Sequence, residues 1–140
     1  MISNKCYYAL RAVLELARKE SEKRVPIADI AKAQEIPPRF LEAILRQLKQ
    51  AGITDSVRGK DGGYHLARPA KDIYVGEIIR LFEGPLVAVR QKANVDIDIL
   101  DTVWDEAEKV LSTVYDSTDF ATLVSREDDL RDDRPIFYSI

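Results

Sequence analysis

The stretch Ser56-Val57-Arg58-Gly59-Lys60-Asp61-Gly62-Gly63-Tyr64-His65-Leu66-Ala67-Arg68 is where the chain changes its period. Residues 53–58 and 64–67 are rich in β-branched and aromatic side chains, and 59–63 between them is glycine-rich and basic. This pattern predicts a two-stranded hairpin with a tight tip. Upstream, Pro37 and Pro38 are tolerated in a helix only within its first turn, so they predict a helix that starts there, runs to Gln50 and is ended by Gly52. Phe40, Leu41, Ile44, Leu45 and Leu48 make its apolar face, and Arg39, Glu42, Ala43, Arg46, Gln47 and Lys49 take the other faces. Further back, residues 27–33 after Pro26 predict a helix of two turns with 34–36 as the turn after it. Residues 5–19 predict a first helix with Ser3 or Asn4 as its N-cap. Past the hairpin, 75–82 predicts a fourth helix broken by Gly84-Pro85, and 86–96 shows no strong period.

From 98 to 116, Leu100, Val103, Trp104, Ala107, Val110, Leu111 and Val114 fall on one stripe of a predicted helix of about five turns. Such a stripe can lie on the core of its own domain, and a narrow near-heptad seam is also how two subunits pair. Because a winged helix reads one half-site and a palindrome needs twofold symmetry, these seven residues are the expected dimer interface. After them come Ser117 or Thr118 as a cap, a short run at 120–124, a charged tract at 126–134 expected to be loosely held, and the apolar end Ile136-Phe137-Tyr138-Ser139-Ile140. A free tail has no need of that apolar end, so Ile136, Phe137 and Tyr138 are expected to dock on the partner subunit.

Three helices followed by a hairpin is the winged helix-turn-helix order, in which the third helix enters the major groove and the hairpin reaches the minor groove or the backbone. The expected fold is mainly α with a small β-hairpin wing (α+β) and a long dimerisation helix. It divides into a winged-helix DNA-binding domain at 1–83, a sensor-type loop at 84–97 and a dimerisation helix with its tail at 98–140. Charge agrees with this reading. Residues 1–70 hold 13 Lys and Arg against 8 Asp and Glu, whereas 71–140 hold 8 against 16, for a net charge of -3 overall. One basic half can face a polyanion while the acidic half keeps the protein oriented away from it. Arg39 sits in the first turn of the third helix, where base edges are met, and Arg46 and Lys49 lie where phosphates are met. Arg58 and Lys60 flank Gly59, Gly62 and Gly63, whose missing side chains would let the backbone approach DNA, with Tyr64 next in the strand.

Several classes are excluded. A chain of 140 residues, 46% apolar and 32% charged, is one globular domain rather than a multidomain enzyme or a disordered fibre. No apolar run approaches the roughly 20 residues that cross a bilayer, and the polar N-terminus is unlike a targeting segment. One cysteine, Cys6, and one histidine, His65, make neither a disulfide nor a zinc cage, which points to a reducing cytoplasm. They fall on different elements without an oxyanion or substrate motif, so the chain is not expected to be an enzyme. His65 reads as a solvated or half-buried strand residue rather than a ligand. Cys6 lies near the start of the first helix, where backbone N–H groups and the helix dipole could lower a thiol pKa and make it a redox candidate; the favoured reading is a small buried hydrophobe.

The wing string 56–68 resembles the signature of the Rrf-type bacterial transcription regulators. Tyr8-Ala9-Leu10-Arg11-Ala12, Ile27-Ala28-Asp29-Ile30-Ala31, Phe40-Leu41-Glu42 and Val75-Gly76-Glu77-Ile78-Ile79 resemble the same family's first, second, reading and fourth helices, so the likeness spans about residues 1–125. It implies a homodimeric regulator, a repressor in many cases, that binds double-stranded DNA at a palindromic operator. Arg39 and Glu42 then fall on base-reading positions and Arg58 on the wing arginine. Ala43 departs from the glutamine that relatives often carry there. Iron–sulfur members place three cysteines between the fourth helix and the dimer helix, and this chain has none between Gly84 and Asp98. Asp96, Asp98 and Asp101 are hard oxygen ligands, suited to solvation and helix capping rather than to a cluster. The chain therefore resembles the cluster-free, CymR-like branch, with no cofactor and no metal. That branch implies control of sulfur or cysteine metabolism or a redox response. It also implies a small-molecule effector or cysteine synthase as partner, with the Ile140 carboxylate as the captured group. The alternative reading is a protein-interaction or thiol-redox sensor module with an incidental basic wing.

Overall fold

The computed structural model describes residues 1–133; residues 134–140, with the expected docking segment Ile136–Tyr138 and the partner candidate Ile140, lie outside the described residues. The elements run α1 (Asn4–Arg18), α2 (Ile27–Gln34), α3 (Pro38–Gln50), β1 (Thr54–Val57), β2 (Gly63–Leu66), a 3-10 turn (Ala70–Asp72), α4 (Val75–Glu83), α5 (Asp101–Asp116) and α6 (Phe120–Asp132). Six helices and one antiparallel hairpin give the expected mainly helical α+β class. No helix among the described residues is long and apolar enough to cross a membrane.

α1 is the hub. Ser3 caps it by accepting the Cys6 N–H, and Ala9, Ala12, Val13 and Leu16 are buried along its length against α2, α3, α4 and α6. Its small residues let neighbouring helices approach from several sides, while α3 supplies the bulk of the packing through Leu41, Ile44, Leu45 and Leu48. Each such leucine or isoleucine contributes about 1.5–3 kcal/mol when fully buried. Phe120, at the start of α6, belongs to the same core, so the core runs past the boundary expected at 98.

Several sequence expectations need correction. Phe40 is not on the core face: it is 47% exposed, because at about 100° per residue it lies roughly a quarter turn away from the centre of the buried Leu41–Ile44–Leu45–Leu48 stripe. The long helix expected from 98 begins at Asp101 with Leu100 as its N-cap, and Asp98 stays outside it. The Asp98 carboxylate accepts the Leu100 N–H and its carbonyl accepts the Asp101 N–H. Neither Ser117 nor Thr118 caps α6; their hydroxyls donate back to carbonyls of α5, and Asp119 takes the cap by accepting from the Thr122 N–H at 2.9 Å. These bonds from Thr122 hold the Asp119 carboxyl below its usual range. Most of the charged tract expected to be loose is ordered helix, α6 continuing to Asp132 with Glu127 paired to Arg18 of α1 and to Arg131.

Candidate nucleic-acid interface

The helix-turn-helix is α2, a turn at Glu35, and α3. Glu35 adopts a left-handed conformation with φ 53° that caps α2, and the buried Ile36 behind it donates its N–H to Ala31. Pro38 stands at the first helical position of α3, as the sequence predicts. A buried polar cluster holds this unit on α1. The Glu15 carboxylate, 2% exposed, accepts from the Gln34 amide at 3.0 Å and pairs with Arg18 and Lys19, while the Gln34 carbonyl accepts from Arg11. A buried carboxylate needs such partners, and here they fix the end of α2 and thus the entry to α3.

The wing is fastened to the same helix. Thr54, 1% exposed, donates its hydroxyl to the Leu45 carbonyl of α3, and Lys49 donates to the Ser56 hydroxyl at 2.6 Å. Lys49 is thus tied to the wing strand and remains exposed. β1 pairs with β2 from Thr54 opposite Leu66 to Val57 opposite Gly63, and Val25 adds a third, short rung by exchanging two backbone hydrogen bonds with Tyr64. This rung places the loop that carries Lys23 and Arg24 beside the wing, a basic neighbour that the sequence pattern did not indicate.

Two of the wing glycines have a task within the chain itself, whereas Gly59 faces open space. A Cβ on Gly63 would stand 2.5 Å from the Val25 carbonyl oxygen, and one on Gly62 would stand 2.6 Å from that of Val57. Their bare backbones make room for this protein's own chain, and they leave Arg58, Gly59 and Lys60 as the exposed tip. Tyr64 faces inward, half-buried against the core, as the anchor of the wing rather than part of its outer surface. His65 is half-buried, with Nδ1 2.9 Å from the Leu66 carbonyl.

On α3, Arg39, Glu42 and Arg46 are all exposed on the face away from the core. Glu42 and Arg46 form an open ion pair at 3.6 Å, and the Arg39 guanidinium lies over the Phe40 ring, 4.8 Å from its centroid. An exposed, charged helix face and an exposed loop tip thus share one frame, α3 packed on α1 and the wing bonded to α3. An exposed helix beside a basic wing is the arrangement that enters a major groove and touches the flanking backbone.

The second predicted surface is on α5. Leu100, Val103, Val110, Leu111 and Val114 are exposed, Trp104 and Ala107 are half-buried, and among the described residues no part of α5 is buried. α5 is held to α4 by a two-pronged Arg80–Asp116 pair, which lowers the Asp116 pKa, and to the preceding loop by Lys92–Asp101 at 3.1 Å. Ile97, Ile99 and Val95 in that loop add further exposed apolar area.

Cys6 is completely buried, and the dipole expectation for it is corrected. Burial pushes its thiol up from 9.0 to about 11, assisted by the Glu83 carboxylate. Glu83 is drawn to this end of α1 by accepting from Ser3, whose bonds hold its own carboxyl low. A thiol so placed is protonated at neutral pH and poorly nucleophilic.

These features define a winged helix-turn-helix DNA-binding regulator. The chain belongs to the Rrf2 family, whose model, described as an iron-dependent transcriptional regulator, matches residues 2–126. An rrf2-like HTH-type transcriptional regulator of Rhodobacter capsulatus is 37% identical, covering 82% of this chain and 81% of its own. The HTH-type transcriptional regulator CymR of Bacillus subtilis is 32% identical over 91% of both chains. Among solved structures, T. potens IscR superposes with a TM-score of 0.83 at 33% identity, covering 99% of this chain and 96% of that one. The CymR structure from B. subtilis gives 0.81 at 31%, covering 90% and 97%.

The iron of the family description does not fit the donors in this chain. No three His, Cys, Asp or Glu side chains among the described residues are grouped to hold a metal ion, and the one cysteine of the sequence is enclosed in α1. An iron–sulfur cluster held by cysteine thiolates has no ligand set here.

Proposed function

We propose that this regulator works in the cytoplasm as a homodimer that reads a palindromic operator, α3 in the major groove and the Arg58–Lys60 tip on the flanking backbone, and that it represses by occupying that operator. The observation that carries this reading is that one chain holds both an exposed, charged α3 face and an exposed apolar stripe on α5. One winged helix reads one half-site. A twofold axis through α5 completes both at once, since isologous contact of Val103, Val110 and Val114 with their copies sets two α3 helices on one duplex. DNA contacts fall to Arg39 and Glu42 for bases, to Arg46 for phosphate, and to the wing tip for the backbone.

The chain does no catalysis in this reading. Its signal reaches it through a small-molecule or protein partner rather than a cluster; cysteine synthase is the protein expected from the CymR-like branch. Sedimentation of the full chain should give about twice 15.9 kDa. Band shifts should show cooperative occupancy of a palindromic promoter fragment and weak occupancy of either half alone. A monomer that binds half-sites and palindromes equally overturns the dimer, and a reporter that rises with added protein overturns repression.

A further inference from the structure

We propose that Phe40 is a specificity-determining residue whose ring packs on the 5-methyl group of a thymine next to the base read by Arg39. This inference rests on α3 lying in the major groove. Phe40 is the one large apolar side chain exposed on α3, in the first turn of an otherwise charged outer face. Residues next to each other in a helix normally diverge, yet Arg39 folds over Phe40 with its guanidinium 4.8 Å from the ring centroid. The two side chains therefore leave the helix end together. A guanidinium this near a ring is attracted to it, and its planar N–H fork suits a paired set of acceptors. Phe40 itself is 47% exposed.

N-terminal residues of a reading helix are the ones that meet base edges. In the major groove the only apolar feature of any base pair is the thymine methyl, and Arg is suited to the paired acceptors of guanine. A phenylalanine has no donor or acceptor with which to read anything else. The Arg39–Phe40 unit fits a guanine beside a thymine, the first read by hydrogen bonds and the second by apolar contact. The chemistry of the partner thus follows from the two side chains: a G·C pair flanked by a methyl-bearing pyrimidine.

The test starts with the full chain and a random-sequence duplex library, followed by replacement of each thymine of the selected site with deoxyuridine, which removes only the methyl group. One thymine per half-site should show a loss of about fourfold, the equivalent of one buried methyl. Phe40→Ala should bind the thymine duplex as weakly as the wild type binds the uracil duplex and show no further loss with uracil. Phe40→Leu, which keeps an apolar group, should retain part of the discrimination. Because the ring is half-exposed, thermal melts of these variants report directly whether the fold is intact. A selected site with no uracil-sensitive thymine, or a Phe40→Ala variant that still distinguishes thymine from uracil, overturns the proposal while leaving major-groove reading in place. Selection of no duplex at all overturns both.

Discussion

α1 and α5 are similar in length and each carries an apolar stripe at helical spacing, yet they end in opposite conditions. In α1 seven residues are buried, from Cys6 to Ala17, and four other helices pack around it. In α5, among the described residues, none is. The side chains explain the difference. α1 presents alanines at 9, 12 and 17, which allow close approach from several directions within one chain, whereas α5 presents valines and leucines on a single line that only one flat partner can cover. A stripe in a sequence therefore identifies an amphipathic helix without saying whether its cover belongs to the same molecule.

The sharpest way to break this comparison is to charge both stripes. Leu16→Asp should leave no folded protein, because an unpaired carboxylate in the core cannot be accommodated. Val103→Asp combined with Val110→Asp should leave a folded monomer of 15.9 kDa by sedimentation. Its affinity for a palindromic site should fall by a factor on the order of 10²–10⁴, the gain ordinarily supplied by linking two half-site readers. If the α5 double variant unfolds like the α1 variant, the two stripes are equivalent and the comparison fails.

A smaller effect separates the two sides of the DNA face. Arg58→Ala should weaken binding to the selected site more than to random DNA. Arg46→Ala should weaken both alike and reduce the slope of log affinity against log salt by about one per subunit. Titrations at four salt concentrations decide the matter, and an Arg58→Ala protein with unchanged affinity removes the wing from the interface.

The smallest effect concerns Cys6. With its pKa raised from 9.0 to about 11 in the folded state, the protonated thiol is favoured by folding. The stability it contributes is complete below pH 9 and declines as pH rises from about 9 towards 11. Iodoacetamide should modify native protein slowly at pH 8 and rapidly after denaturation, and peroxide at that pH should leave DNA binding unchanged. Fast native alkylation at pH 8 would restore Cys6 as a redox sensor.

Much of the reading unit was legible because its signals are local. Pro37-Pro38 marks a helix start by the ring's own restriction, and the glycine-rich run between two β-branched segments marks a hairpin by backbone freedom. What escaped depended on neighbours distant in sequence. Phe40 has the spacing of a core residue with Ile44 and Leu48, yet it lies at the edge of the stripe centred on Leu41, Leu45 and Leu48 and is exposed. Glu15 reads as an ordinary polar helix position, and only Gln34 and Arg18 make its burial tolerable. Tyr64 sits in a basic wing as though to face DNA, and the rung with Val25 turns it inward. The Asp119 cap competed with Ser117 and Thr118, all good capping residues, and the bend between α5 and α6 chose among them.

The position of α1 at the hub has a consequence for how the chain is made. Its cap is bonded to Glu83, 80 residues downstream, and its core is closed by Phe120 of α6. α1 leaves the ribosome first and receives these partners last, so its apolar faces stay open through most of synthesis and contacts of large sequence separation must wait for the chain to return. The winged helix-turn-helix thus becomes fully braced only when α6, the element that follows α5, has been made.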